Sequence, residues 1–214
     1  MAFLSQVFWL AVERKALVLA SLQEHIAISL LACSLIALCG IPLGILIARF
    51  RAIAPWVIGV TGVLYTIPAL ALFGFMIPFL GIGVRPTLFA LFIYGLLPLV
   101  RNTYVGITAV DPAIVEAARG MGSTEWQLLW RVQFPLALSI IVAGLRTVAV
   151  MTISVATIAA FIGAGGLGVL IFRGITSYYT ELVVLGSLLV AALAVGVDGV
   201  LGFVERKLLR RVQM

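Results

Sequence analysis

Residues 111–135 read DPAIVEAARGMGSTEWQLLWRVQFP. Asp111, Glu116, Arg119, Glu125 and Arg131 put five charges into these 25 positions, in a chain that is 10% charged and 64% hydrophobic. Long apolar runs flank the stretch on both sides. Charges are costly inside hydrocarbon, so this segment must leave the environment that its neighbours occupy.

That environment is a bilayer. A mean hydropathy of +1.26 over 214 residues exceeds what a soluble core can hide. The apolar runs are continuous rather than alternating, which selects spanning helices over a closed β-barrel. The fold class is all-α, a polytopic helical membrane protein. A net charge of +6 fits basic loops facing one side of a membrane better than nucleic-acid binding. Cys33 and Cys39 share one apolar run and read as free thiols.

Runs of spanning length are expected over about 22–48, 56–80, 86–100, 135–162 and 182–204. Pro68 and Pro78 fall inside the second, and Pro98 is expected to kink the third. Residues 3–20 are apolar but interrupted by Glu13, Arg14 and Lys15, which favours an interfacial helix over a sixth span. The chain thus divides into an N-terminal segment 1–21, a spanning domain 22–205 with a loop over about 108–134, and a basic tail 206–214. With five spans, one side collects Arg49, Arg51, Arg101, Arg119, Arg131, Arg206, Lys207, Arg210 and Arg211. The other collects only Arg14, Lys15, Arg85 and Arg173, so the charged loop and the C-terminus are expected in the cytoplasm and the N-terminus outside.

The loop carries strong local signals. Asp111 before Pro112 suits a helix N-terminus, and Gly120 or Gly122 can end that helix in a left-handed turn. Ser123 or Thr124 can cap a second helix, and Gln127 is placed to complete a capping box on Thr124. Ala117 and Ala118 permit close approach, and Trp126 and Trp130 fall on one helix face. The loop therefore reads as helix, glycine bend, helix. The residues alone leave open whether it meets a partner or simply lies at the interface.

Glu116, Ala117, Ala118, Gly122, Val132, Phe134 and Pro135 stand at the spacing EAA-x3-G-x9-I-x-L-P, with Val132 and Phe134 replacing Ile and Leu. This resembles the signature of the permease subunits of ABC importers. IPLGILIARF, YTIPALALFGFMIPFLGIG, LLPLVRNTYVGI and ATIAAFIGAGGLGVLIFRGI extend the likeness over nearly all of 22–175, closest to the osmoprotectant group. The resemblance implies the type I importer permease fold in a bacterial inner membrane. It implies a cytoplasmic ATPase subunit docked on the loop, an extracytoplasmic substrate-binding protein, and a second permease copy or paralogue completing the pore. The cargo implied is glycine betaine, choline or carnitine. Glu116 is expected as a polar contact or helix-start charge, and Gly122 as the bend.

Other signals are weaker. Gly163, Gly165 and Gly168 match a dinucleotide fingerprint formally, but they follow a spanning helix, so a flexible external turn is expected. No Walker lysine motif occurs, so any ATP is expected on another polypeptide and this chain is expected to be a pore subunit, without cofactor or catalytic residues of its own. Arg146 and Asp198 are candidates for an intramembrane pair. His25, the single histidine, is expected at the interface and offers no metal site alone. Tyr65, Phe73, Phe75 and Tyr94 are aromatic candidates for cation contacts, but no substrate-binding residue is assigned. The rival readings are a permease for another solute such as methionine, a self-contained secondary transporter or channel, and a membrane scaffold without transport. Few ionisable groups in the spans and no inverted repeat count against the second.

Overall fold

The structure is a computed structural model describing residues 2–212. Met1 of the N-terminal segment and Gln213 and Met214 of the basic tail lie outside the described residues. Helices α1 (Ala2–Glu13) and α2 (Lys15–Arg49) come first, then α3 (Ala54–Tyr65), α4 (Ala69–Leu80) and α5 (Val84–Thr108). Next are α6 (Pro112–Gly120) and α7 (Glu125–Gln127), which runs through a wide turn (Leu128–Gln133) into α8 (Phe134–Ala156). A 3-10 turn (Ile158–Ile162), α9 (Gly168–Thr176) and α10 (Thr180–Val212) complete the chain, with no strand among the described residues.

Four helices are long and apolar enough to cross a membrane: Lys15–Arg49, Val84–Thr108, Glu125–Ala156 and Thr180–Leu209. The fifth crossing, expected as one run over 56–80, is broken: Arg51–Tyr65 and Ala69–Leu80 meet at 93°. Pro68 explains the break, because it lacks an N–H and disfavours helix in the residue before it. Side chains from the break itself and from α5 bond the carbonyls beside it. Thr66 Oγ1 donates to Val63 at 2.7 Å, and the Tyr94 hydroxyl donates to the Ile67 carbonyl.

Packing register shows that the two pieces form one crossing. Ile36 packs on Gly95, Gly40 on Leu99 and Gly44 on Thr103, so α2 and α5 run parallel. The chain must cross between them, and α3 with α4 is all that connects them. A Cβ on Gly44 would sit 2.5 Å from that of Thr103, so glycine sets the approach of α2 and α5. Helix α8 runs antiparallel to α5, with Gly144 on Asn102 and Gly106 on Ala137. The loop 108–134 therefore lies at the same end of the bundle as Arg49.

Several boundaries differ from expectation. The first spanning helix begins at Lys15 rather than 22, because nothing in KALVLASLQEH breaks a helix. Helix α1 packs through Val7 and Leu10 against Leu167, Leu170, Leu182 and Leu185. Helix α10 continues to Val212, so the described part of the tail is helical.

The glycine-rich turn, expected to be flexible, is pinned. Gly163, Gly165 and Gly166 all have positive φ. The Gly166 N–H donates to Glu24 Oε2 at 2.9 Å, and the Leu167 N–H to His25 Nδ1 at 3.2 Å. His25 Nε2 donates in turn to the Ile153 carbonyl at 3.0 Å. His25, expected at the membrane interface, is 1% exposed and thus buried against protein. It bridges α2, the end of α8 and the turn before α9 as a neutral ring.

Arg146 and Asp198 join α8 to α10. The guanidinium meets the carboxylate with both arms, Nη2 to Oδ2 at 2.6 Å, and Nη1 donates to Glu205 Oε2 at 3.2 Å. Asp198 and Glu205 stand two turns apart on one face of α10, so a single arginine serves both.

Two outcomes follow. Replacing His25 by Leu leaves a buried N–H and carbonyl unpaired and lowers stability by about 1–3 kcal/mol, read as a fall in detergent melting temperature; Glu24→Gln keeps its acceptor and stays near wild type. Exchanging Arg146 and Asp198 recovers only part of the stability lost by either single reversal, because the new acid at 146 faces Glu205. Adding Glu205→Gln completes the recovery, which thermal melts of the two single reversals, the exchange and the triple variant check.

Candidate functional site

The 111–135 stretch folds as a helical elbow, capped at the start of both arms. Asp111 Oδ1 accepts from the Ala113 N–H at 2.8 Å, and Pro112 follows at the first helical position of α6. The helix closes with paired bonds: the Gly122 N–H donates to Arg119 at 2.9 Å, and the Ser123 N–H to Ala118 at 3.1 Å. This is the glycine C-cap pattern that satisfies the last carbonyls. Gly122 has φ +84 with open space around it. The constraint on this position is thus backbone conformation, not volume.

The second arm starts at once. Thr124 Oγ1 accepts from Gln127 N–H at 3.3 Å, while Gln127 Oε1 accepts from Thr124 N–H at 3.0 Å. Arg119 and Glu125 clamp the two arms across the bend, Nε to Oε1 at 3.0 Å and Nη2 to Oε2 at 3.3 Å. Both side chains are more than half exposed, so the clamp aligns the arms more than it stabilises the fold.

The second arm does not stop at Pro135, as the sequence suggested. It continues into α8 through one wide turn, in which the Phe134 N–H reaches the Leu129 carbonyl five residues back. Pro135 has no N–H to give, and the extra residue in the turn adjusts the helix ahead of it. Glu125–Ala156 is consequently one helix from loop to bundle.

The signature residues fall into distinct places. Ala118 is buried, whereas Glu116 and Ala117 are exposed. Glu116 sits on the second turn of α6, not at its start, and pairs with no charge among the described residues. Val132 lies half-buried in the wide turn. Phe134 is half-buried and stacks on Trp130 at 5.0 Å, with Pro135 just after it. Ile114, Ala117 and Met121 recur at helical spacing on the open side of α6, with Met121 81% exposed. The arrangement can receive a surface from outside the bundle and pass displacement into α8.

Arg146 and Asp198 are brought together elsewhere, in a groove shared with Thr147, Val150 and Met151. Glu205 and the clamp of Arg119 on Glu125 escaped the sequence reading. Their signals were present, as an acid seven residues after Asp198 and opposite charges astride a glycine bend. Of the four aromatics considered, Phe73 and Tyr94 are buried, Phe75 is exposed, and Tyr65 is exposed against Tyr94 and Met151. No group of three or more potential metal ligands occurs among the described residues.

Comparison with known proteins agrees with this architecture. Residues 40–210 match the model of the binding-protein-dependent transport system inner membrane component. The carnitine transport permease protein OpuCB of Listeria monocytogenes is 47% identical over 185 residues, covering 86% of this chain and 85% of that protein. The glycine betaine/carnitine/choline transport system permease protein OpuCD of Bacillus subtilis is 44% identical, covering 89% and 84%. The osmoprotectant import permease protein OsmW of Salmonella typhimurium is 45% identical, covering 86% and 88%. Among solved structures, an inward-facing MetNI methionine ABC transporter chain superposes with a TM-score of 0.80 at 20% identity, covering 91% of this chain and 97% of that one. An amino acid ABC transporter solved with histidines gives 0.75 at 23% identity, covering 96% and 98%. With its five crossings and its helical elbow, this chain belongs to the family of binding-protein-dependent transport system inner membrane components.

Proposed function

We infer that this chain is the membrane-spanning permease of an ATP-driven importer that takes up a quaternary-amine osmoprotectant: glycine betaine, choline or carnitine. The observation that carries the transport role is the elbow at 111–135, capped, exposed and continuous with a spanning helix. The cargo rests on the relatives, whose names cite carnitine, glycine betaine, choline or osmoprotectants. The methionine transporter shares the fold at 20% identity, too distant to suggest the cargo.

In this mechanism an ATPase subunit seats against the open side of α6, over Ile114, Ala117 and Met121. Nucleotide binding moves that subunit. The bend at Gly122 and the clamp of Arg119 on Glu125 prevent the elbow from absorbing the displacement, so the helix through α8 tilts. Arg146 transfers the tilt to α10 through Asp198 and Glu205. Two such chains enclose the pathway, which opens to each side in turn. A binding protein delivers cargo at the face bearing the pinned turn 163–168. The loop and the C-terminus lie in the cytoplasm and the N-terminus outside, consistent with the arginine distribution.

The test is uptake of radiolabelled glycine betaine, choline and carnitine in cells lacking their own carriers, with this chain expressed beside its genomic neighbours. Ile114→Glu with Met121→Glu is expected to abolish uptake and ATPase co-purification while the chain still reaches the membrane. Gly122→Ala costs about 1–2 kcal/mol of left-handed strain and lowers uptake, whereas Gly122→Asn is milder. Uptake without any ATPase defeats the reading. A stable ATPase complex that carries none of the three solutes removes the cargo and keeps the class.

A further inference from the structure

Two recesses meet at Arg49, and the transport mechanism assigns no occupant to either. One is an apolar groove of about 390 Å³ between α2 and the helix leading into α8. Ile41, Ile45 and Leu46 form one wall, and Trp126, Trp130 and Phe134 form the other. The three rings stack in series, at 5.5 and 5.0 Å between centroids. The second recess, about 380 Å³, is lined by Arg49, Arg51, Thr108, Arg119, Glu125 and Gln133. Arg49 and Leu129 line both.

Charge in the second recess is unbalanced. Arg119 is neutralised by Glu125, but neither Arg49 nor Arg51 forms an ion pair among the described residues. Two positive charges therefore face a cavity to which the Gln133 amide can also donate, while the Thr108 hydroxyl already donates to the Tyr104 carbonyl at 2.8 Å. The apolar groove lies alongside the last turns of a spanning helix, where the surrounding solvent is acyl chain. Tryptophans of this kind mark the boundary between hydrocarbon and headgroups. An apolar slot rising past two tryptophans into an unpaired basic recess has the polarity profile of one phospholipid: chain below, phosphate above.

We propose that this composite site binds an anionic phospholipid, with an acyl chain along Trp126, Trp130 and Phe134 and the headgroup phosphate on Arg49 and Arg51. Basic recesses between spanning helices at the membrane surface favour such headgroups. The site joins the end of α2 to the elbow, so the bound lipid braces the helix that carries motion into α8. The assignment is independent of the transported solute.

The full chain, purified in detergent and delipidated, carries Trp9→Phe and Trp56→Phe so that Trp126 and Trp130 alone report. Phosphatidylglycerol with brominated acyl chains is titrated against phosphatidylcholine with the same chains, and tryptophan quenching is read. Quenching by phosphatidylglycerol at about tenfold lower mole fraction is expected from two arginines at a headgroup. Arg49→Gln with Arg51→Gln is expected to erase that preference while leaving the weaker common quenching, and Arg49→Lys with Arg51→Lys is expected to keep most of it. Equal quenching by the two lipids in the wild-type arginine background overturns the proposal without relying on any variant. So does absence of quenching by either, which means protein fills the groove. Inorganic phosphate that displaces the lipid at millimolar concentration makes the recess a free-anion site and likewise overturns the lipid assignment.

Discussion

Backbone hydrogen bonding without water is the constraint on which the rest of this structure depends. In hydrocarbon each N–H and carbonyl must find a partner within the protein, so the chain is helix wherever it is surrounded by lipid. What distinguishes this bundle is how it treats the places where a helix stops. At Pro68 the Tyr94 hydroxyl, from α5, takes the Ile67 carbonyl, and the Thr66 hydroxyl adds a second bond to Val63. At the glycine-rich turn Glu24 and His25 accept the stranded N–H groups. Before Pro135 the helix widens by one residue instead of breaking. Each solution uses a residue from a distant element or a different helical spacing, so each also ties the bundle together.

The same economy governs the elbow. A loop joining two spans need only be polar and long enough. This one satisfies its helix ends with Asp111, the Gly122 bend and the Thr124 box, then clamps the arms with Arg119 and Glu125. Exposed pairs of this sort add little to stability. What the pair does is align the two arms across the glycine bend.

Much of this was legible in the sequence, because the strongest signals were chemical and local. The capping residues of α6 and α7 read correctly because a cap needs only its neighbours. The helical membrane class read correctly because hydropathy sums over long windows. What was missed depended on contacts far apart in sequence. His25 looked interfacial because nothing in EHIAIS reveals that Leu167 and Ile153 offer the ring a donor and an acceptor. The turn at 163–168 looked flexible because its glycines were visible and its anchors were not. Pro135 looked like the start of a span, since proline usually marks a boundary, whereas a wide turn lets the helix pass through it. Arg146 and Asp198 were recognisable by their cost in a membrane, yet nothing in the sequence singled out Glu205 as a further partner.

The continuity of the 125–156 helix has a mechanical consequence. At 1.5 Å per residue its 32 residues reach about 48 Å, longer than the hydrocarbon is thick. A shorter span, ending at Pro135 and followed by a separate loop helix, would let a push at the loop dissipate at the junction. Here the junction is a widened turn of the same helix, with the rings of Trp126, Trp130 and Phe134 packed in series along its open side. Arg146 sits well along this rod, and its two carboxylate partners lie on the only helix that follows α9. A displacement delivered at Thr124 therefore has two outlets: the rod's own tilt against α5, limited by the close contact of Gly144 on Asn102, and the drag on α10 through the guanidinium. Under the proposed coupling, the contacts of Arg146 with Asp198 and Glu205 make α10 the helix that follows the rod, while α5 stays closely packed beside it at Gly144.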